Sequence, residues 1–407
     1  MNGPERRSDL RRTLRAALGV MLPTAAETRL LRAILYSGEQ GRQAWRDWRR
    51  SADNPPTAFE GERTGQKSLL PLLHAAVVRN AVEVEATLAS WLRAGYFREE
   101  LRGHAYRRIV RETLAALSGE AGPPIVLKGC ALSDTVYDDP NARHSHGIEL
   151  LLSETDLDRV AGRLREMRFT PITSGTGLRS GHRSWVHPAG LPLVLRTRLF
   201  DACDSGPSVD MLRTRARSLP GMAAFVLGPE DALLHVCGSA ARSGSRGTLR
   251  WACDAWLLIK SHRSFDWTLF VAIAEAARLA LPLSVLVRYL AEALQAPVPV
   301  EALAALDALA DETTDASHEA AVLGALVGTH SRMRRLIADS PDWPARFILL
   351  RCLLAPSAAC VREMGHASGP WRLPVFYLLR PMLYAGRRLL RIGARSRLTL
   401  SRGAELR

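Results

Sequence analysis

The 407-residue sequence predicts an α+β fold, mostly helical, with one small mixed sheet between N- and C-terminal helical regions. Three observations predict it. Apolar residues recur at three- and four-residue spacing over most of the chain, which is the helical period. Between about residues 122 and 203 that period gives way to short apolar runs bounded by Pro and Gly, which read as strands. After Pro207 the helical period returns and runs to the end. The expected divisions are 1–121 (helical), 122–206 (α/β) and 207–407 (helical). No internal repeat of the solenoid kind is visible.

Element by element, "LRRTLRAALGVML" and "TRLLRAILYSG" are apolar on one helical face. "SADNPPTAFEGERTG" breaks the period with Pro, Gly and Asn and reads as a loop. Helix resumes at "SLLPLLHAAVVRN", and a long segment over 99–118 stops at Gly119 to Gly122. "PPIVLKG" is a buried strand, "CALSDTVYDDP" a short helix closed by Pro140, and "IELLLS" a second strand. "ETDLDRVAGRLREMRF" is an amphipathic helix with Ser153 as N-cap, acids in its first turn and Arg in its last. "FTPITS", "HRSWVHP" and "LPLVLRTRLF" are further strands, the last two joined by "AG", a hairpin signal. In "WRDWRR", Trp45 and Trp48 read either as a helix face packing on its own domain or as stacking platforms for bases.

The net charge of +14 favours acidic partners such as nucleotides, nucleic acid, phosphorylated substrates or anionic membrane surfaces; it also fits a solvated, Arg-rich surface. Six cysteines without a CxxC pair, several of them inside apolar helical patterns, read as reduced core residues. The basic N-terminus lacks the apolar stretch of a signal peptide, and no run of about 18 apolar residues is visible to span a membrane. The expected compartment is the cytoplasm.

Four stretches occur in a telling order: "IVLKGCAL", "YDDPNARHSHGIELLL", "FVLGPEDALLHVC", and "LRWACDAWLLI" followed by "DWTLF". Together they resemble the bacterial family of uncharacterised nucleotidyltransferases, a branch of the polymerase-beta-like superfamily. The resemblance covers about residues 25–395. It implies a nucleotidyltransferase-like sheet domain whose Lys-Gly turn brings backbone N–H groups to a triphosphate. It also implies an Asp-hydrophobic-Asp strand and a third acid on a neighbouring strand, holding Mg²⁺ for in-line attack on phosphorus. An NTP would be the donor and a small molecule, glycan or peptide the acceptor; nucleic acid is not an expected partner.

The departures from that pattern are specific. Gly147, Ile148 and Glu149 stand where the resemblance implies Asp-hydrophobic-Asp. Val194 stands at the third acid and Arg196 at a family His. Gly129-Cys130 replaces the superfamily's Gly-Ser. Mg²⁺ takes one or two carboxylates plus substrate phosphates in near-octahedral geometry, so Glu149 alone is a poor site. Gly, Val and Arg in place of acids make the pocket electropositive, able to hold phosphate and repel Mg²⁺. If the inherited pocket survives, Gly147→Asp with Val194→Asp should restore metal affinity.

The candidate catalytic or metal residue is therefore Glu149, which alternates with Ile148 and Leu150 and faces away from both. Candidate phosphate-binding residues are Lys128, Gly129, Cys130, Arg143 and Arg196, with Ser145, His146 and Asp254 in support. Each has a plainer reading. Lys128 and Arg143 also suit solvated ends and loops, Gly129 a tight turn, and Glu149 a sheet edge. Asp254, with His235, also suits a buried helix–helix hydrogen bond. His144 and His146 form an HxH with no second ligand cluster in view. Asp201 and Asp204 are either loop acids or a displaced carboxylate.

Two functions compete. One is a nucleotidyl or related phosphoryl transferase, with activity reduced or lost. The other is a non-catalytic nucleotide-binding or scaffolding module in a biosynthetic cluster. A third reading rests on "RLPVFYLLRPMLYAGRRLLRIGARSRL", where Pro381 starts an amphipathic helix. Its Arg387, Arg391 and Arg395 either contact an anionic membrane surface or face solvent while the other side docks on the protein.

Overall fold

The computed structural model describes residues 3–51, 66–145, 147–172, 182–200, 206–242, 249–328, 337, 343–363, 373–374 and 376–378. Of the loop expected over 51–65, Ser51 ends the helix Gly38–Ser51; residues 52–65, His146, Asp201, Cys203, Asp204 and the segment from Pro381 onward lie outside the described residues.

The helices Gly3–Leu18, Ala25–Leu35, Gly38–Ser51, Leu70–Asn80 and Ala86–Ala121 precede the sheet. Ala25–Leu35 begins with a reciprocal cap. The Thr24 hydroxyl accepts from the Glu27 N–H, and the Glu27 carboxylate accepts from the Thr24 N–H. After the sheet come Pro229–Arg242, Arg250–Ser261, Trp267–Ala276, Ala280–Leu294, Val300–Glu312, Asp315–Gly328, Trp343–Leu354 and Ala358–Glu363.

The strands are β1 (Ile125–Leu127), β2 (Ile148–Leu151), β3 (Thr170–Ile172), β4 (His182–Val186), β5 (Pro192–Arg196), β6 (Arg217–Ser218) and β7 (Phe225–Val226). They form one sheet in the order β3-β4-β5-β2-β1-β7-β6. It is mixed: β1 runs antiparallel to β2 and parallel to β7, β2 is parallel to β5, and β4–β5 is a hairpin. The fold is α+β and mostly helical, as the sequence predicts.

Three expectations need correction. The chain is not helical throughout after Pro207, because β6 and β7 complete the sheet from beyond it. Each is two residues long, too short to show a period, and β7 is recruited by hydrogen bonding, with the Phe225 N–H donating to the Pro124 carbonyl at 2.8 Å. Ser153 does not cap with a backbone bond. Its hydroxyl donates to the Asp156 carboxylate at 2.6 Å, and a single 3₁₀ turn, Glu154–Asp156, precedes the α-helix Leu157–Glu166. Finally, Trp343–Arg362 is long and apolar enough to cross a membrane by length and composition. In the structure it is two helices separated at Pro356, and Arg351 in its middle pairs with Glu319, itself 2% exposed. The break and the paired Arg351 distinguish it from one continuous apolar span, while 28% of it is buried and Trp343 and Phe347 stand exposed.

Alternation along the strands sends side chains into two different cores. Val126, Ile148, Leu150, Leu193 and Leu195 pack with Leu114 and Leu117 of Ala86–Ala121 and Val160 and Leu164 of Leu157–Glu166. Ile125, Leu127 and Leu151 face the opposite way. They join a larger cluster that holds Leu31, Trp45 and Trp48 from the N-terminal helices together with Leu233, Trp256 and Leu290 from beyond the sheet. Trp45 and Trp48 are thus core residues, not platforms for bases. The described cysteines are free, and all but the half-buried Cys130 are buried.

Candidate functional site

The turn from β1 into the helix Lys128–Thr135 is made by Lys128, whose φ of +50° lies in the left-handed region. A non-glycine residue holds that conformation only where its surroundings enforce it, and such positions cluster at functional sites. The sequence assigns the turn's freedom to Gly129; the structure gives that glycine a different task. A Cβ at Gly129 would collide with the Ser145 hydroxyl and stand 3.0 Å from Arg143 Nη1. Gly129 lets the loop before β2 press against the start of the helix.

Glu149 projects from β2 with Leu127 opposite it on β1 and Val194 opposite it on β5. Lys128 Nζ lies 3.3 Å from its Oε1 and 3.2 Å from its Oε2, and Arg196 Nε donates to Oε2 at 2.8 Å. The three side chains are partly buried, Arg196 most deeply at 13% exposed. Burial raises the pKa of Glu149, but the charges of Lys128 and Arg196 outweigh it and hold the carboxyl below its ordinary value. This is an ion triad of two cations and one anion.

His235, from Pro229–Arg242, is 2% exposed and packs edge-on against Phe200. Burial, together with the positive charges of Lys128 and Arg196, pushes its pKa well below the ordinary imidazole value, so it is neutral.

Arg143 and Asp254 meet each other. Arg143 Nε and Nη2 donate to the two Asp254 oxygens at 2.8 Å each, with both side chains buried. The Tyr137 hydroxyl donates to Asp254 Oδ1 at 2.6 Å. Burial lowers the Arg143 pKa, yet Asp254 more than compensates and leaves it raised. Arg143 therefore presents no free fork to a phosphate, and the buried helix–loop pairing is what the structure supports for Asp254. Ser145 donates to the Gly147 carbonyl at 3.4 Å beside the turn. His144 pairs with Glu99, and the Arg250 guanidinium donates to the His144 carbonyl at 2.8 Å. Burial, and then Asp134, raise the Cys130 thiol to about 12, so it is a neutral side chain and not a thiolate.

Of the predicted site residues, Lys128, Glu149 and Arg196 converge, with Gly129 and Ser145 beside them. Arg143 and Asp254 form a separate buried pair. Sequence reasoning missed Tyr137 as a third partner of that pair and the role of the Pro192 carbonyl described below. No local signal announces either one, since both act across loops.

A Lys-bearing turn into a short helix and an acid on the adjoining strand agree with the arrangement that the nucleotidyltransferase resemblance implies. The model of the family described as "Uncharacterised nucleotidyltransferase" matches residues 64–295, more than half of the chain, and the chain belongs to that family. No curated protein and no solved structure matches it.

Members of this family commonly use a divalent metal, and the described residues do not fit one. Both Glu149 oxygens face cations. At Gly147 a Cβ would stand 2.5 Å from the Pro192 carbonyl oxygen, so an acid there requires the backbone to move. Val194, paired with Glu149 in register, offers no ligand atom. Among the described residues no group of three His, Cys, Asp or Glu side chains is placed to hold an ion.

Proposed function

We propose that this member of the nucleotidyltransferase family is a nucleotide-binding module that does not carry out metal-dependent transfer. Its phosphate contacts would come from Lys128 and Arg196, fixed cations that stand where the family's metal chemistry would otherwise gather. Glu149 then acts as their internal counter-ion. A phosphate chain approaching the Lys128 turn meets three charged groups with a net positive charge. The observation that carries this reading is the Lys128–Glu149–Arg196 triad. Two cations on a carboxylate oppose the arrival of a third, whereas they attract phosphate. Scaffolding within a biosynthetic cluster is the role that fits a binding module without transfer. Cytoplasmic location and contact of the basic C-terminal segment with an anionic membrane remain parts of the proposal.

Calorimetric titration with ATP, GTP, CTP and UTP, once with Mg²⁺ and once with EDTA, tests it. Weak binding of similar strength in both buffers is the expected result. Strictly Mg²⁺-dependent binding, or release of pyrophosphate on incubation, overturns it and returns the transferase reading. Absence of any binding removes the nucleotide and leaves scaffolding alone.

A further inference from the structure

Between the helix Lys128–Thr135, strand β7 and the helix Pro229–Arg242 lies a cavity of about 260 Å³. Most of its wall is apolar, with Val126, Leu132, Val226 and Val236 prominent. Its size is just below the range of about 300–1,000 Å³ usual for small-molecule sites. Glu149 does not line it; Lys128 is the residue it shares with the triad.

His235 is one of the residues that line the cavity. The residue is 2% exposed, and its ring makes an edge contact with Phe200 but no hydrogen bond to any described residue. An imidazole that lines a cavity can take its hydrogen-bond partner from a molecule bound there. Being neutral, it offers one N–H donor and one acceptor nitrogen. Lys128 on the wall is already paired with Glu149, which leaves Arg217 and Asp134, one charge of each sign, so the wall favours neither a cation nor an anion. What remains is a molecule that fills apolar space and supplies one uncharged polar group.

We propose that this cavity binds a small uncharged molecule with an apolar, ring-sized body and a single hydroxyl or carboxamide, which hydrogen-bonds to His235. The site shares Lys128 with the triad but takes its hydrogen bond from His235, not from Glu149 or Arg196, so the two sites are read by different probes.

Phenol and toluene are suitable probes, alike in shape and differing in one hydroxyl. Each is titrated into the full chain and followed by ligand-observed NMR, with the ¹⁵N-labelled histidine ring resonances read in parallel. Both should bind, and phenol alone should move the ring nitrogens of His235. His235→Leu should weaken phenol about tenfold, the loss of one neutral hydrogen bond, and leave toluene within about twofold. Leucine suits the helix and removes an unpaired polar group, so this variant should fold. Ala232→Leu, which fills the cavity from the same helix, should abolish binding of both probes. If overpacking prevents it from folding, the His235→Leu comparison decides alone. The proposal is overturned if neither probe binds, if His235→Leu weakens both equally or neither, or if a folded Ala232→Leu binds both unchanged. An ATP titration of the same samples reads the triad separately, so failure of one site is not mistaken for failure of the other.

Discussion

Glu149 touches two cations at once, and its replacement separates the metal and phosphate readings of the site. Glu149→Gln removes the counter-ion and leaves Lys128 and Arg196 facing the turn. Nucleotide affinity in EDTA should rise, by roughly fivefold or more given unit charges a few ångströms apart in a partly buried site. A metal-ligating Glu149 would give the opposite result, loss of binding, in the same titration. The pH dependence follows from the same contacts. Because the folded carboxyl is held below its ordinary pKa, the triad's stabilisation is present above the unfolded carboxylate value and is lost as pH falls through the folded one. The acid limb of a stability–pH curve should therefore flatten in Glu149→Gln.

Gly147 gives the second residue-scale prediction. Restoring the family's acids is the obvious route to a metal site, but a Cβ at Gly147 meets backbone, not a movable side chain. Gly147→Asp should destabilise the protein by about 1–3 kcal/mol, as overpacking does, and Gly147→Asp with Val194→Asp should gain no Mg²⁺ affinity. Urea denaturation and Mg²⁺ calorimetry check the two halves. Gain of tight Mg²⁺ binding by the double variant would show that β2 and β5 part easily here.

At the scale of elements, the helix Arg250–Ser261 is fastened to the segment before β2 by Asp254. That carboxylate accepts from Arg143 twice and from Tyr137 once, across 111 and 117 residues of chain. Removing one side of a buried, bonded ion pair leaves the other charge uncompensated. Asp254→Ala should cost about 3–5 kcal/mol, whereas Tyr137→Phe, which leaves the ion pair intact, should cost about 1 kcal/mol. Arg143→Lys should not substitute for Arg, since a point-charge ammonium cannot reproduce the two-pronged contact. Equilibrium denaturation in urea measures all three. Near-neutral Asp254→Ala would show that the pair is solvated and does not fasten the elements.

Across the whole molecule, the helices before the sheet and those after it share their interiors. Leu31, Trp45 and Trp48 pack in one cluster with Trp256 and Leu290, and Leu14 and Leu18 pack with Leu281, Cys352 and Cys360. A chain lacking residues 1–51 exposes those apolar surfaces and should aggregate or melt well below the intact protein. Residues 207–407 alone should fail to give a cooperative transition. Differential scanning calorimetry tests both. A sharp, concentration-independent transition from the C-terminal piece would show that it holds a core of its own.

By itself, the sequence determined the helical regions, strands β1 to β5, the face on which Glu149 stands, and the absence of acids at Gly147 and Val194. These are legible because period and residue identity are local properties, visible within a few residues of chain. Lys128, Glu149 and Arg196 were nameable in advance for the same reason: each sits at a turn or on one side of a strand. Only the tertiary structure decided what each side chain meets. It gave Arg143 to Asp254, closed the Pro192 carbonyl over Gly147, added β6 and β7 through the Phe225–Pro124 hydrogen bond, and placed two cations on Glu149. Each of those joins residues far apart in the chain, and the choice among partners is made by burial and charge once the layers pack, after local pattern has nothing more to specify.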